Sequence, residues 1–135
     1  MRILITGGAG YIGSSLVDFL LPNHEVVVYD NFLYDRTSLL PYVTHPNFNF
    51  INGDVRDKKL LQKQLNRADV IIPLAAIVGF PLCKKKPTEA TEVNYEINKW
   101  IADNKSKDQM VIYPCTNSGY GTTSGQLHCT EESPL

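Results

Sequence analysis

The sequence contains few cysteines, and they form no recognisable framework. Its three cysteines, among 135 residues, are Cys83, Cys115 and Cys129, and no two of them make a Cys-x-x-Cys pair. A set of this kind does not predict a disulfide scaffold and favours a reducing compartment, so we expect a cytoplasmic protein. Cys129 follows His128, but two ligands without a second pair do not predict a metal site, and we expect none.

Long hydrophobic runs and a charge excess of either sign are also missing. No apolar segment approaches the ~20 residues that a membrane-spanning helix needs, and a strand predicted from residue 2 leaves no room for a secretory signal. The formal net charge is −1, which gives no reason to expect a nucleic acid or a membrane as partner. With 43% hydrophobic and 20% charged residues, the chain has the composition of a globular domain.

Apolar segments alternate with helical patterns along most of the chain. We predict strands at residues 2–6, 25–30, 48–52, 69–74 and 109–113, and helices at 11–21, 37–43, 58–66 and 87–104, with Asp57 capping the third helix. Nearly continuous apolar strands are typical of parallel sheets buried on both faces. The fold class is therefore α/β, a doubly wound parallel sheet with helices on both faces. The polar, glycine-containing stretch from residue 114 onward closes no further helix, so we expect the front part of a larger protein, truncated after about five strands.

The segment TGGAGYIGS at residues 6–14 links the first strand to the first helix. Gly7 lets the chain turn off the strand, Gly10 leaves room for a pyrophosphate, and Gly13 lets the helix lie close to the sheet. The helix that begins at Tyr11 and Ile12 points unpaired N–H groups toward phosphates. This arrangement is that of a Rossmann-type dinucleotide-binding unit.

Asp30 ends the second strand about 20 residues after this turn, and Asn31 follows it. A carboxylate there accepts hydrogen bonds from the adenosine ribose and repels a 2′-phosphate, which favours NAD over NADP. The alternative is a carboxylate that only caps its loop. Arg36 stands nearby as a group that would attract a phosphate, so the preference for NAD is not absolute.

Two further strands end in small and acidic residues. Asp54 and Val55 follow the third strand, and Leu74, Ala75 and Ala76 end the fourth. Open α/β sheets bind ligands at the carboxyl ends of their strands. We expect Asp54 to accept a hydrogen bond from an adenine amino group and the small residues to admit a cofactor.

These motifs together resemble the extended short-chain dehydrogenase/reductases. The set comprises TGGAGYIGS, DNF at 30–32, GDVRD at 53–57, LAA at 74–76, Asn94 in the long helix and CTNSGYG at 115–121. Within that family the sequence is most similar to NAD-dependent nucleotide-sugar epimerases and dehydratases. The resemblance implies that a sugar hydroxyl is oxidised by hydride transfer to NAD and that the hydride is later returned.

The resemblance also assigns roles to single residues. Thr116 falls at the serine or threonine position that binds the reacting oxygen, and Ser118 is a second hydroxyl within reach. Asn94 falls at a position with a structural and cofactor-side role. Asn117 and Ser118 replace the Asp-Glu pair of sugar 4,6-dehydratases, and Val78 replaces a lysine of the galactose epimerases, which argues against those two activities.

The family's catalytic Tyr-x-x-x-Lys pair has no match at the expected place. Tyr95 and Lys99 have the spacing, but they precede strand five and Thr116, so we interpret them as an ordinary helix face. We expect the pair and the substrate-binding part beyond residue 135, and residues 1–135 to form an incomplete NAD(P)-binding domain that is inactive alone. Related enzymes dimerise through a helix equivalent to 87–104, which makes a homodimer possible here.

Three other functions remain open from the sequence. The first is an NAD(P)-dependent reductase of the same superfamily that acts on a keto-sugar or another carbonyl. The second is a non-catalytic nucleotide-binding or sensor module, and the third is a scaffold that has lost NAD binding. The intact glycine turn and Asp30 disfavour the third.

Overall fold

The described part of the chain is built on a sheet of parallel strands. The computed structural model describes residues 1–34 and 37–115. Its strands are β1 (Arg2–Thr6), β2 (Glu25–Asp30), β3 (Phe48–Asn52), β4 (Val70–Pro73) and β5 (Met110–Val111). Their order is β3-β2-β1-β4-β5, and every pairing is parallel. The predicted doubly wound sheet is confirmed, and its switch point lies between β1 and β4, where such folds bind ligands.

Helical segments connect the strands. They are α1 (Tyr11–Leu20), a short 3₁₀ turn (Leu40–Tyr42), α2 (Lys58–Leu65), α3 (Phe80–Lys85), α4 (Pro87–Thr91), a π turn (Glu92–Glu96) and α5 (Ile97–Asn104). The last three form one helical run with the bounds predicted for the long helix. The helix predicted at 37–43 is reduced to the 3₁₀ turn, and α3 was not predicted.

The sheet buries apolar side chains on both faces because successive strand residues point to opposite sides. Ile3 and Ile5 of β1 face one core cluster with Val17 of α1. Leu4 faces the other cluster, which contains Leu61 of α2 and the apolar stripe of α5. Since α1 lies on one face and α2 and α5 lie on the other, the three-layer arrangement predicted from the sequence is confirmed.

The outer strands of the described sheet differ from the prediction of continuous burial. In β3, Phe48 is buried, but Phe50 is 51% exposed. Strand β5 extends over two residues instead of the five predicted. Both strands have a neighbour on one side only in the described residues, so their outer positions meet solvent.

The predicted start of α2 is confirmed. The Asp57 side chain accepts hydrogen bonds from the backbone N–H groups of Lys59 and Leu60 at 3.1 and 3.0 Å. These bonds satisfy two of the donors that a helix leaves unpaired at its N-terminus. Among the helices within residues 1–34 and 37–115, none has the length and apolarity to cross a membrane.

Candidate functional site

The glycine turn after β1 is packed against the ends of two neighbouring strands. Gly7 has a φ of 70°, and a Cβ there would lie 2.5 Å from the backbone nitrogen of Ala75. Its own N–H donates to the carbonyl oxygen of Tyr29 at 2.9 Å. Gly7 therefore turns the chain, as predicted, and also lets the turn touch the segment after β4. Only glycine combines this positive φ with such a close backbone contact.

Gly8 makes a contact that the sequence reasoning missed. A Cβ on Gly13 would lie 2.5 Å from Gly8 Cα, and a Cβ on Gly8 would lie 2.7 Å from a methyl carbon of Val28 in β2. Helix α1 thus packs on the turn through Gly13, and the turn packs on the sheet through Gly8. The sequence signal was the second glycine of the Gly7-Gly8 pair.

The start of α1 leaves donors open. Gly10 occupies the N-cap position with extended backbone, and a Cβ there would meet only Gly7 O, at 3.3 Å, in the described structure. The first backbone bond back to the turn is from Ser14 N–H to Gly10 O at 2.9 Å. Tyr11 is 91% exposed, and Ile12 is exposed beside it. No side chain caps the helix here in the described structure, so the N–H groups of its first turn can bind an anion.

Asp30 holds the glycine turn in place. Its Oδ2 accepts from Ala9 N–H at 3.0 Å, and its Oδ1 accepts from Phe32 N–H at 2.7 Å. Ser38 Oγ donates to the Ala9 carbonyl oxygen at 2.7 Å, so both backbone groups of Ala9 are bound by side chains. The loop-capping role considered for Asp30 is present, and each carboxylate oxygen retains a lone pair for a ribose hydroxyl. Ser38 was not singled out from the sequence.

Asn31 lies between Asp30 and a shallow cavity. Its Oδ1 accepts from Leu33 N–H at 3.1 Å, which closes a local turn. Phe32 has a φ of 53°, a left-handed conformation that is uncommon outside glycine. The cavity, of about 250 Å³, is mostly apolar and is lined by Asn31, Phe32, Leu39, Leu40, Val43, Phe50 and Asn52.

Asp54 is held by Arg56, a residue of the GDVRD motif to which the sequence analysis assigned no role. Arg56 donates to both carboxylate oxygens of Asp54, and hydrogen bonds from the Arg56 side chain lower the Asp54 pKa against the opposing effect of burial. The Asn31 side chain also lowers this pKa, so the two predicted site residues lie together. The Val55 side chain is buried in the core, which leaves its backbone at this edge.

The segment after β4 is fixed by Asn94 of the π turn. Leu74 N–H donates to Thr6 O at 2.9 Å, and Ala75 N–H donates to Thr6 Oγ1 at 3.4 Å. Asn94 Oδ1 accepts from Ile77 N–H, and its Nδ2 donates to Ile77 O, both at 2.8 Å. The side chain of Asn94 therefore positions the backbone just after Leu74, Ala75 and Ala76.

The other residues singled out from the sequence lie on the helical run of residues 87–104 or outside the residues that the structure describes. Tyr95 is 63% exposed, and Lys99 Nζ donates to Asp103 Oδ2 at 2.6 Å, a bond that raises the Lys99 pKa. Thr116 and Ser118 lie outside the described residues, as does Arg36. Within residues 1–34 and 37–115, no group of three or more His, Cys, Asp or Glu could hold a metal ion.

The whole chain is similar to a known class of protein. The model of the NAD-dependent epimerase/dehydratase family matches residues 3–135, so the chain belongs to that family. The resemblance inferred from the motifs is confirmed.

Three proteins illustrate the range of enzymes to which this chain is similar. A UDP-N-acetyl-alpha-D-glucosaminuronate decarboxylase from Bacillus cytotoxicus is 34% identical over 122 residues, which cover 89% of this chain and 38% of that protein. A UDP-glucose 4-epimerase from Neisseria meningitidis is 28% identical over 99% of this chain and 42% of its own length. The dTDP-glucose 4,6-dehydratase DesIV from Streptomyces venezuelae, solved with NAD bound, superposes with a TM-score of 0.88. It is 32% identical, and the match covers 100% of this chain and 45% of DesIV.

The chain thus spans less than half the length of each of these relatives. Their names are those of a decarboxylase, a 4-epimerase and a 4,6-dehydratase of nucleotide sugars. The match therefore establishes the family and leaves the reaction to be proposed.

Proposed function

We propose that this chain binds NAD at the carboxyl ends of β1, β2, β3 and β4, as the cofactor-binding part of an enzyme that modifies nucleotide sugars. The observation that carries the proposal is the hydrogen bond between the Asp30 carboxylate and the glycine turn. The carboxylate suited to the ribose hydroxyls is hydrogen-bonded at 3.0 Å to Ala9, between Gly7 and Gly10. One rigid unit would therefore position both the ribose and the pyrophosphate.

The charge of Asp30 supports NAD over NADP. A 2′-phosphate would bring about two negative charges against a carboxylate already placed by two backbone N–H groups. With NAD, the same carboxylate accepts from the 2′- and 3′-hydroxyl groups without leaving the turn.

The proposed reaction is the one that the resemblance to the nucleotide-sugar epimerases implies. NAD, when bound, would accept a hydride from a sugar hydroxyl and return it later. We propose that Thr116 hydrogen-bonds the reacting sugar oxygen and that Ser118 assists it. The general base is a tyrosine expected beyond residue 135, so we expect no turnover of nucleotide sugars by residues 1–135 alone.

The proposal is tested by titrating NAD and NADP into the chain and into Asp30→Ser. We expect the wild-type chain to prefer NAD, and D30S to bind NAD roughly tenfold or more weakly with most of that preference lost, since hydrogen bonds to a charged group contribute about 1.5–3 kcal/mol. Asp69→Ser is the matched control. Asp69 also accepts a backbone N–H, that of Arg2 at 2.7 Å, but it lies at the amino ends of β1 and β4, away from the proposed site. Equal NAD and NADP affinity in the wild-type chain would contradict the assignment of Asp30.

We also propose that the helical run from Pro87 to Asn104 forms a homodimer contact. The large exposed side chain of Tyr95 and the Lys99–Asp103 ion pair on the outer face of this run support it. Analytical ultracentrifugation of the wild-type chain and of Tyr95→Glu is the test. A dimer that dissociates in Y95E is expected, and a wild-type monomer at all concentrations would exclude the contact.

A reducing, cytoplasmic setting fits the thiols. Cys83 and Cys115, the cysteines within the described residues, are both free. We infer that the protein works in that compartment, and fractionation of the producing cells would test this.

A further inference from the structure

Arg56 connects the end of β3 to the π turn. Its Nε and Nη2 donate to Asp54 Oδ1 and Oδ2 at 2.9 and 2.7 Å, and its backbone N–H donates to Oδ1 at 2.9 Å. Its remaining nitrogen, Nη1, donates to Glu92 Oε2 at 3.0 Å. Arg56 is therefore held by two carboxylates that are distant from each other in sequence. Asp54 stands 2 residues before Arg56, and Glu92 stands 36 residues after it.

This contact differs from an ordinary surface ion pair in its geometry. An isolated exposed pair contributes little because both side chains move freely. Here the two parallel N–H···O bonds of the guanidinium fix the plane of the Asp54 carboxylate. The three side chains are between 34% and 43% exposed, so solvent reaches the network but does not surround it.

The π turn is attached at a second point. Two residues after Glu92, the Asn94 side chain holds the backbone of Ile77 through two bonds of 2.8 Å. Glu92 thus anchors the end of β3 through Arg56, while Asn94 anchors the segment after β4. π turns occur frequently at functional sites, and this one connects the end of β3 to the segment after β4.

The bonds to Arg56 also determine what Asp54 can recognise. An ionised carboxylate only accepts hydrogen bonds and has about four acceptor positions, of which Arg56 fills three. The Asn31 side chain is the other donor near it. A ligand amino group can take the fourth position or displace the Asn31 amide, and either arrangement leaves the Arg56 bonds intact. A ligand carbonyl oxygen would be repelled.

We propose that Arg56, anchored by Glu92, is a positioning residue for base recognition, holding the Asp54 carboxylate in the orientation that selects a 6-amino purine over a 6-oxo purine. The inference rests on the proposed NAD site. It adds Arg56, which was not predicted to contact the cofactor, as a residue that determines base specificity. Arg56 acts through Asp54 and Glu92 acts through Arg56.

The test compares the binding of NAD with that of nicotinamide hypoxanthine dinucleotide, in which oxygen replaces the adenine amino group. We expect the wild-type chain to prefer NAD by roughly tenfold or more, the range for a lost hydrogen bond to a charged group. Arg56→Gln should reduce that preference to about threefold or less, and Glu92→Gln should reduce it by a smaller factor. Asp54→Asn should remove or reverse it, since an amide can donate to the 6-oxo group.

Glu89→Gln is the matched control, because it breaks the Lys86–Glu89 ion pair on the same helical run without touching Arg56. It should leave the preference unchanged. If R56Q does not fold, E92Q carries the test, since it removes only the outer partner of Arg56. Full preference retained in folded R56Q, or in E92Q where R56Q is unfolded, would overturn the inference. A wild-type chain that binds neither dinucleotide would instead overturn the proposed function.

Discussion

Neighbouring glycines of the turn after β1 make room in different directions. Gly8 makes room inside the protein, where a Cβ would lie 2.7 and 2.8 Å from the two methyl carbons of Val28. Gly10 leaves room outside, where a Cβ would meet Gly7 O at 3.3 Å and no other described atom within 4 Å. Gly8 is therefore needed for packing inside the protein, whereas Gly10 leaves space for a ligand. Adding a single methyl group at each position distinguishes the two roles.

Alanine at these two positions should give opposite results. Gly8→Ala overpacks a buried β-branched residue and should lower the free energy of unfolding by about 1–3 kcal/mol. Gly10→Ala should cost less, about 0.5–1 kcal/mol for alanine at an N-cap, but weaken NAD binding by roughly tenfold, equivalent to about 1.4 kcal/mol. Urea unfolding and NAD titration of both variants check this. A G10A variant that binds NAD as the wild type does would show that no phosphate passes close to that position.

Tyr29 links the core to the Asp54 backbone. Its ring is fully buried, and its hydroxyl donates to Asp54 O at 3.0 Å. Burial, with smaller effects from the Asp57 and Asp54 carboxylates, raises the pKa of Tyr29 from 10.0 to about 12. The unfolded chain therefore loses this proton at a lower pH than the folded chain does.

That difference makes stability depend on alkaline pH. The contribution of Tyr29 is fully present below pH 10 and is lost as the pH rises toward 12, since the unfolded state then binds fewer protons. Tyr29→Phe should cost about 1 kcal/mol at neutral pH through the lost hydrogen bond and should lack this alkaline decline. Denaturant unfolding of both proteins from pH 8 to 12 measures it. A constant difference between the two proteins over that range would contradict the assigned pKa.

At the scale of elements, the side-chain amide of Asn94 joins the helical run of residues 87–104 to the segment after β4. Asn94 pairs with both backbone groups of Ile77, and Cys83 Sγ also donates to Ile77 O at 3.2 Å. If Asn94 is lost, the Ile77 carbonyl keeps a partner, but the buried Ile77 N–H does not. The Asn94 side chain therefore stabilises the connection between β4 and the helices that follow it.

Asn94→Ala should lower the free energy of unfolding by about 2 kcal/mol, the sum expected for two bonds that include an unsatisfied buried donor. Asn104→Ala is the control, since among the described residues its amide donates only to Trp100 O within the same run, at 2.9 Å. Thermal or urea unfolding compares the two variants. Similar losses in both would mean that the Ile77 contact contributes no more than a helix-surface bond.

At the scale of the whole molecule, the sequence predicted what depends on local patterns. The bounds of β1 and β2 follow from continuous apolar residues between turn signals, and the Asp57 cap follows from an aspartate before a helical pattern. The glycine spacing and Asp30 predict a site at the carboxyl edge of the sheet, and the structure brings Asp30 and the glycine turn together there. These features are encoded within short stretches of the chain.

The remaining features depend on residues that are distant in sequence. The Ser38 bond to Ala9 and the Arg56 bond to Glu92 span 29 and 36 residues, and no local pattern announces either. The exposure of Phe50 depends on β3 being an outer strand, which the strand's own sequence does not encode. The π turn lies inside a helical pattern that continues unchanged through it. Tertiary contacts decide each of these outcomes.

The central claim is that NAD binds at the carboxyl edge of this sheet, and a titration followed by NMR tests it most directly. NAD would be added to the ¹⁵N-labelled chain while the backbone amide signals are recorded. We predict saturable shifts concentrated in four segments, namely residues 7–13, 30–31, 54–55 and 74–76, with the signals of α2 and of the outer face of α5 unchanged. No shifts at millimolar NAD, or shifts concentrated away from these four segments, would contradict the account.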